Sequence, residues 1–147
     1  MLKTILVALD VEPDPLAGQI MQTLRQLSLE PVATVILAHV IMATQTEAEV
    51  VDRPQAGLES SPHDQIEKQL HGYQKTLPCQ SQVEIVTGEP VEEIIRLANI
   101  YKADLILIGS RGLTGMQRIL LGSVSSQIAT DAPCSVLVVK PNSWSLD

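Results

Sequence analysis

The sequence predicts an α/β three-layer sandwich, with a five-stranded parallel sheet in the order 3-2-1-4-5 and helices on both faces. Three observations predict it. Short apolar runs alternate with longer segments of helical period in the order β-α-β-α-β-α-β-α-β, the pattern of parallel strands joined by crossover helices. The runs at 4–9, 34–40 and 105–109 are apolar almost throughout, as strands buried on both faces are. Asp10 ends the first strand and Gly109 the fourth, and this order sets those strands side by side at the reversal point, where open parallel sheets bind ligands.

The elements follow in order. "TILVAL" (4–9) is the first strand. Asp14 caps and Pro15 opens the first helix, whose Leu16, Ile20, Leu24 and Leu27 share one face. "TVILAHV" (34–40) is the second strand. Residues 43–61 are polar, aperiodic and contain Pro and Gly, the composition of a flexible surface connection. A second helix around 62–77 aligns Ile66, Leu70, Tyr73 and Leu77. "QVEIV" (82–86) alternates apolar and polar residues, as an edge or half-exposed strand does. A third helix starts near Pro90 and sets Val91, Ile94, Ile95 and Ala98 on one side. After "LILIG" (105–109), a short helix begins at Ser123 and ends before Pro133, and "SVLVVK" (135–140) closes the sheet. The tail "PNSWSLD" is expected outside it. With no internal repeat, residues 1–147 read as one domain.

Composition narrows the function. A net charge of −7 argues against a general binder of nucleic acid or anionic membrane. Phe is absent, and Tyr73, Tyr101 and Trp144 provide no stacking platform for single strands. No stretch approaches transmembrane length, and no small-residue cleavage site follows the apolar run of "MLKTILVALD", so the expected location is cytoplasmic. None of this disfavours a phosphorylated small molecule held by main-chain amides. Cys79 and Cys134 form neither a CxxC nor any metal spacing and read as ordinary thiols.

The segment "LILIGSRGLTGMQRILLGSVSSQIA" (105–129) carries the chemistry. Two residues separate Gly109 from Gly112, nine separate Gly112 from Gly122, and Ser123 then opens a helix. Glycines remove the Cβ that keeps a phosphate from the backbone, and a helix N-terminus offers free N–H groups with a partial positive charge. Ser123 and Ser125 add hydroxyl donors, so a triphosphate can lie across the loop without a lysine. No G-x-x-x-x-G-K-[ST] is present and no G-x-G-x-x-G follows the first strand, which sets aside the Walker loop and the dinucleotide fingerprint. An architectural reading stays open: the glycines shape a turn and Ser123 is an N-cap.

These residues resemble a known family. "G-SR-G-LTGMQRILL-G-S", with two and then nine intervening residues, is similar to the nucleotide-binding signature of the universal stress protein family. "ILVALD", "LAHV", "GEPVEEIIRLA", "ADLILIGSRG" and "GSVSSQIATDAPCSVLVVK" extend the resemblance over nearly the whole chain. It implies a Rossmann-like fold and membership of the ATP-binding branch, which keeps the glycine signature. By resemblance, adenosine lies near Ala8, Asp10 and Val40, with the Val40 backbone reading the adenine edge. Ile108, Gly109, Arg111 and Gly112 flank ribose and phosphates, and Gly122, Ser123, Val124 and Ser125 receive the phosphate chain, with Mg²⁺ as companion of the triphosphate. One departure stands out: the family usually has a small Gly/Ser segment after the aspartate, where this chain has "VEPDP", adding Glu12 and Asp14 near the pocket mouth. Arg111 is also readable as a solvated surface arginine.

The implied function is a nucleotide-dependent stress-response or signalling module with at most slow ATP hydrolysis. An ATP-using enzyme (ATPase or nucleotidyl transferase) and a nucleotide-free interaction domain remain as alternatives. The final strand, Ser135 to Lys140, is an apolar sheet edge, and the family commonly forms homodimers through it; the alternative cover is the tail, anchored by Trp144. His39 reads as a core histidine. His63 and His71, eight apart, lack the i,i+4 spacing of a metal pair, and Asp104, Asp131, Glu92 and Glu93 read as helix-end or surface charges. No nucleophile–base–orienter set is assembled, and no protein-only metal site is expected.

Overall fold

Strands β1 (Thr4–Ala8), β2 (Thr34–Ile41), β3 (Gln80–Thr87), β4 (Leu105–Gly109) and β5 (Ser135–Val139) pair in parallel in the order β3-β2-β1-β4-β5, the order the sequence predicts. The computed structural model describes residues 2–10, 15–27, 29–42, 62–110 and 123–141. The expected connection at 43–61, the Asp14 cap and residues 142–147 of the tail lie outside the described residues.

Alternation of side chains across the pleat sorts each strand between two layers. Ile5, Val7, Leu9, Val35, Leu37 and Leu107 pack under α1 (Pro15–Arg25) and α2 (Pro62–Gln74). Leu6, Ala8, Ile36, Ala38, Val40, Ile106 and Ile108 pack under α3 (Pro90–Tyr101) and α4 (Ser123–Asp131). The three central strands are therefore buried on both faces, which is why their sequences are apolar runs. β3 and β5 are the edges, and their mixed burial matches their position.

One helix face and one helix end differ from the sequence expectation. In α3 the buried residues are Pro90, Ile94, Leu97 and Ala98, while Ile95 is half-exposed; Leu97, not Ile95, completes the buried face. Helical spacing admits both residues beside Ile94 and Ala98, and the direction of the sheet selects between them. The second helix ends at Gln74, yet Leu77 beyond it still packs against the α1/α2 layer.

Local chemistry sets the ends of α3. The Glu89 side chain accepts the Glu92 N–H at 2.9 Å, and Pro90 occupies the first turn, where no N–H is needed. At the other end Lys102 is left-handed (φ 54, ψ 51), and Ala103 N–H returns to Ala98 C=O at 2.9 Å. Asp104, a surface charge as expected, also braces the sheet, since one carboxylate oxygen accepts the N–H groups of Lys3 and Thr4, both at 2.9 Å. It joins the start of β4 to that of β1, the pair whose adjacency builds the site. Those two bonds, with Thr4 contributing most, hold its carboxyl below the usual range.

Candidate functional site

The strand order reverses between β1 and β4, where Ala8 stands opposite Ile108. On the other side Ala8 stands opposite Ala38, and Val40 lies two residues further along β2. Because these residues share one pleat direction, Ala8, Val40 and Ile108 fall in one apolar layer, joined by Val124 from the first turn of α4. Four residues assigned by resemblance thus lie in one apolar layer, three near the carboxyl ends of β1, β2 and β4 and one at the start of α4. Asp10 follows β1 at the lip, half-buried. This is the strand reversal, beyond whose carboxyl ends doubly wound sheets place ligands.

Gly109 faces the other way. A Cβ added there would lie 2.7 Å from Leu16 Cδ2 and 3.2 Å from Ile20 Cδ1. The residue is free of a side chain because α1 packs directly on β4, a requirement that spacing with the later glycines does not reveal.

At the start of α4, Ser123 is exposed and Ser125 is fully buried. The Ser125 hydroxyl donates to the Ser110 carbonyl over a long 3.4 Å, while Ser110 N–H donates to Val139 C=O at 2.8 Å. Ser125 therefore ties the helix start to the end of β4, and Ser123 is the hydroxyl that faces outward. Arg111, Gly112 and Gly122 lie outside the described residues, as do Glu12 and Asp14.

His39 is buried, as expected of a core histidine, with its Nδ1 at 2.8 Å from the Leu9 carbonyl. On α2 the spacing reading missed Glu67, which stands i,i+4 from both His63 (3.9 Å) and His71 (3.5 Å); H-x-x-x-E-x-x-x-H was the available signal. His63, Asp64 and Glu67 could offer ligand atoms within 4.8 Å of one another. His63 and Asp64 sit on the exposed first turn and half-buried Glu67 on the next, near the helix N-terminus, where the helix dipole opposes a cation. Burial raises the thiols of Cys79 and Cys134, the latter with help from the charge of Asp104, which disfavours thiolate chemistry. Tyr101 donates to Glu84, and that hydrogen bond, with burial and the carboxylate charge, pushes its phenol up to about 12. Among the described residues no helix is long and apolar enough to cross a membrane.

A parallel sheet covered by helices on both faces, with an apolar floor at the β1/β4 reversal, defines a doubly wound, Rossmann-like α/β protein. The chain belongs to the universal stress protein family, whose model matches residues 1–140. It is similar to the universal stress protein MJ0531 of Methanocaldococcus jannaschii, with 51% identity over 57 residues, 39% of this chain and 34% of the relative. The match thus spans about a third of that curated relative's length. Among solved structures, the MJ0577 protein of the same organism shares 28% identity and a TM-score of 0.80, covering 97% of this chain and 98% of its own. A universal stress protein family member from Arabidopsis thaliana, solved with AMP bound, shares the fold: TM-score 0.61, 19% identity, covering 99% and 96%.

Proposed function

We propose that this protein is an ATP-binding universal stress protein, a nucleotide-dependent stress-response and signalling module with at most slow ATP hydrolysis. The observation that carries the reading is that Ala8, Val40, Ile108 and Val124 share one apolar layer at the β1/β4 reversal, where Asp10 follows β1 and Val124 lies in the first turn of α4. Apolar Ala8 and Val40 suit a purine, and free N–H groups at a helix start suit phosphates. An AMP-bound protein of the same fold supports an adenine nucleotide. In this reading Asp10 and the Val40 backbone hold the nucleoside. Ile108, Gly109, Arg111 and Gly112 flank ribose and phosphates, Gly122, Ser123 and the main chain of Val124 and Ser125 receive the phosphate chain, and Mg²⁺ arrives with the triphosphate. Occupancy sets conformation or partner choice, in the cytoplasm.

The reading includes a homodimer through β5. The β3 edge is polar (Gln80, Ser81, Gln82, Glu84, Thr87), whereas β5 offers Val136, Leu137 and Val138 with Leu137 exposed. An apolar edge with open main-chain groups invites pairing, most simply antiparallel about a two-fold axis.

The test is mass spectrometry of the small molecules released from the purified protein, followed by titration of the stripped protein with ATP, ADP and AMP. The expected result is a co-purifying adenine nucleotide and saturable ATP binding, with turnover far slower than dissociation. No binding of any of the three refutes the proposal, and rapid multiple turnover makes it an ATPase instead.

A further inference from the structure

We propose that His39 ends the β1–β2 ladder one rung early and thereby keeps the Val40 N–H available to a bound heterocycle. In a parallel ladder, a residue donates to the carbonyl of one partner residue and accepts from the N–H two residues further along. Leu9 N–H donates to Ala38 C=O at 2.9 Å, and the Ala8–Ala38 register continues to place Leu9 opposite His39. The next rung would run from Val40 N–H to Leu9 C=O. Among the described residues that rung is not made. The Leu9 carbonyl accepts instead from His39, whose Nδ1 lies 2.8 Å from it. A carbonyl only accepts, so Nδ1 carries the proton.

The consequence lies on Val40. Main-chain groups of alternate residues point to the same side of a strand, so Val40 N–H points, like the Ala38 carbonyl, toward β1. There β1 has just ended, at Ala8. Val40 is 2% exposed, so its N–H is a buried donor whose ladder bond is not made among the described residues. A buried donor without a partner is costly, and a ligand that supplies an acceptor removes the cost. Pleat alternation sets His39 with Val35 and Leu37 on the α1/α2 side, behind the Ala8–Val40–Ile108 floor. His39 therefore acts through Leu9 and Val40 without touching the ligand, as a positioning residue. The identity of the acceptor, a ring nitrogen of adenine, rests on the nucleotide reading above; the ladder geometry does not.

Amide hydrogen exchange by NMR, paired with ATP titration, tests both halves on the full chain. In the wild type without nucleotide, Val40 is expected to exchange faster than Ala38 and to slow when ATP is added. His39→Leu frees the Leu9 carbonyl for the missing rung: Val40 gains protection without ligand, and ATP affinity falls about three- to tenfold, the value of one neutral hydrogen bond. His39→Asn keeps an N–H donor near the Nδ1 position and is expected to restore wild-type behaviour in both measurements. Should His39→Leu fail to fold, His39→Gln, with its amide one bond too far out, replaces it. Equal Val40 exchange in wild type and His39→Leu overturns the proposal. So does unchanged ATP affinity in His39→Leu beside a wild type that binds. A wild type that binds no adenine nucleotide overturns the functional reading instead, and the exchange comparison still decides the ladder.

Discussion

Gly109→Ala puts one methyl group between β4 and α1, and the structure sets its cost. The new Cβ would lie 2.7 Å from Leu16 Cδ2, 3.1 Å from Leu16 Cγ and 3.2 Å from Ile20 Cδ1, against about 3.5–4.0 Å for comfortable carbon contact. Leu16 and Ile20 are only 4% and 3% exposed, so neither has solvent to swing into, and their side chains or α1 must give way. Overpacking of this kind costs about 1–3 kcal/mol, and the reduced freedom of the unfolded chain returns about 0.4–1 kcal/mol. A net loss of about 1–2 kcal/mol follows, lowering the melting temperature by roughly 3–8 °C for a chain of this size. Urea denaturation followed by circular dichroism reads it. The decisive form is a double-mutant cycle with Leu16→Ala, which alone costs about 2–5 kcal/mol by leaving a cavity. In the double variant the two errors offset, so its loss should fall short of the sum by about 1 kcal/mol or more. A Gly109→Ala protein within about 0.5 kcal/mol of wild type, or an additive cycle, would refute the claim that α1 packing demands this glycine.

Four further outcomes are expected. Lys102→Gly relieves a left-handed lysine (φ 54) and should stabilise the fold by about 0.5–1 kcal/mol, less the entropy of glycine; an unchanged or lower melting temperature counts against it. Asp104→Asn should destabilise at neutral pH, because the carboxylate of Asp104 accepts two N–H groups and its folded pKa is depressed. That contribution is full above the unfolded value of about 3.9 and is lost as pH falls through the folded value, so the stability gap between variant and wild type should close in acid; a gap independent of pH would contradict the assignment. Gly122→Val should abolish ATP binding in calorimetric titration while the protein stays folded, and Ser123→Ala should weaken it by about 1.5–3 kcal/mol, one hydrogen bond to a charged group; unchanged affinities sink the phosphate assignment. Finally, sedimentation should show a wild-type dimer that Val138→Pro converts to monomer, and a wild-type monomer at micromolar concentration ends the β5 proposal.

Much of this was legible in the sequence. Apolar runs such as "TILVAL" and "LILIG" identify doubly buried strands because a strand covered on both faces has no polar side to show. The polar alternation of "QVEIV" places β3 at an edge for the converse reason, and the five-strand order follows from the need to bring Asp10 beside Gly109. Resemblance to the family singled out Ala8 and Val40 for adenosine, Ile108 for ribose and phosphates and Val124 for the phosphate chain; the structure shows that all four belong to one apolar layer.

Other features were decided only by the tertiary structure, because they are distances between residues far apart in the chain. Periodicity allows both Ile95 and Leu97 on the buried face of α3, and the sheet beneath chooses Leu97. The demand for glycine at 109 comes from Leu16 and Ile20, about ninety residues earlier, and so appears in no local motif. Asp104 looks like any surface carboxylate until β1 arrives to donate the N–H groups of Lys3 and Thr4. His39 is a core histidine by composition, and only the pairing of β1 with β2 gives its Nδ1 the Leu9 carbonyl. The sequence by itself determined which stretches are strands and helices, since those depend on the local pattern of apolar side chains. Which side chain fills, braces or opens the crevice was decided by the packing of elements against one another, where a few ångströms separate a contact from a gap.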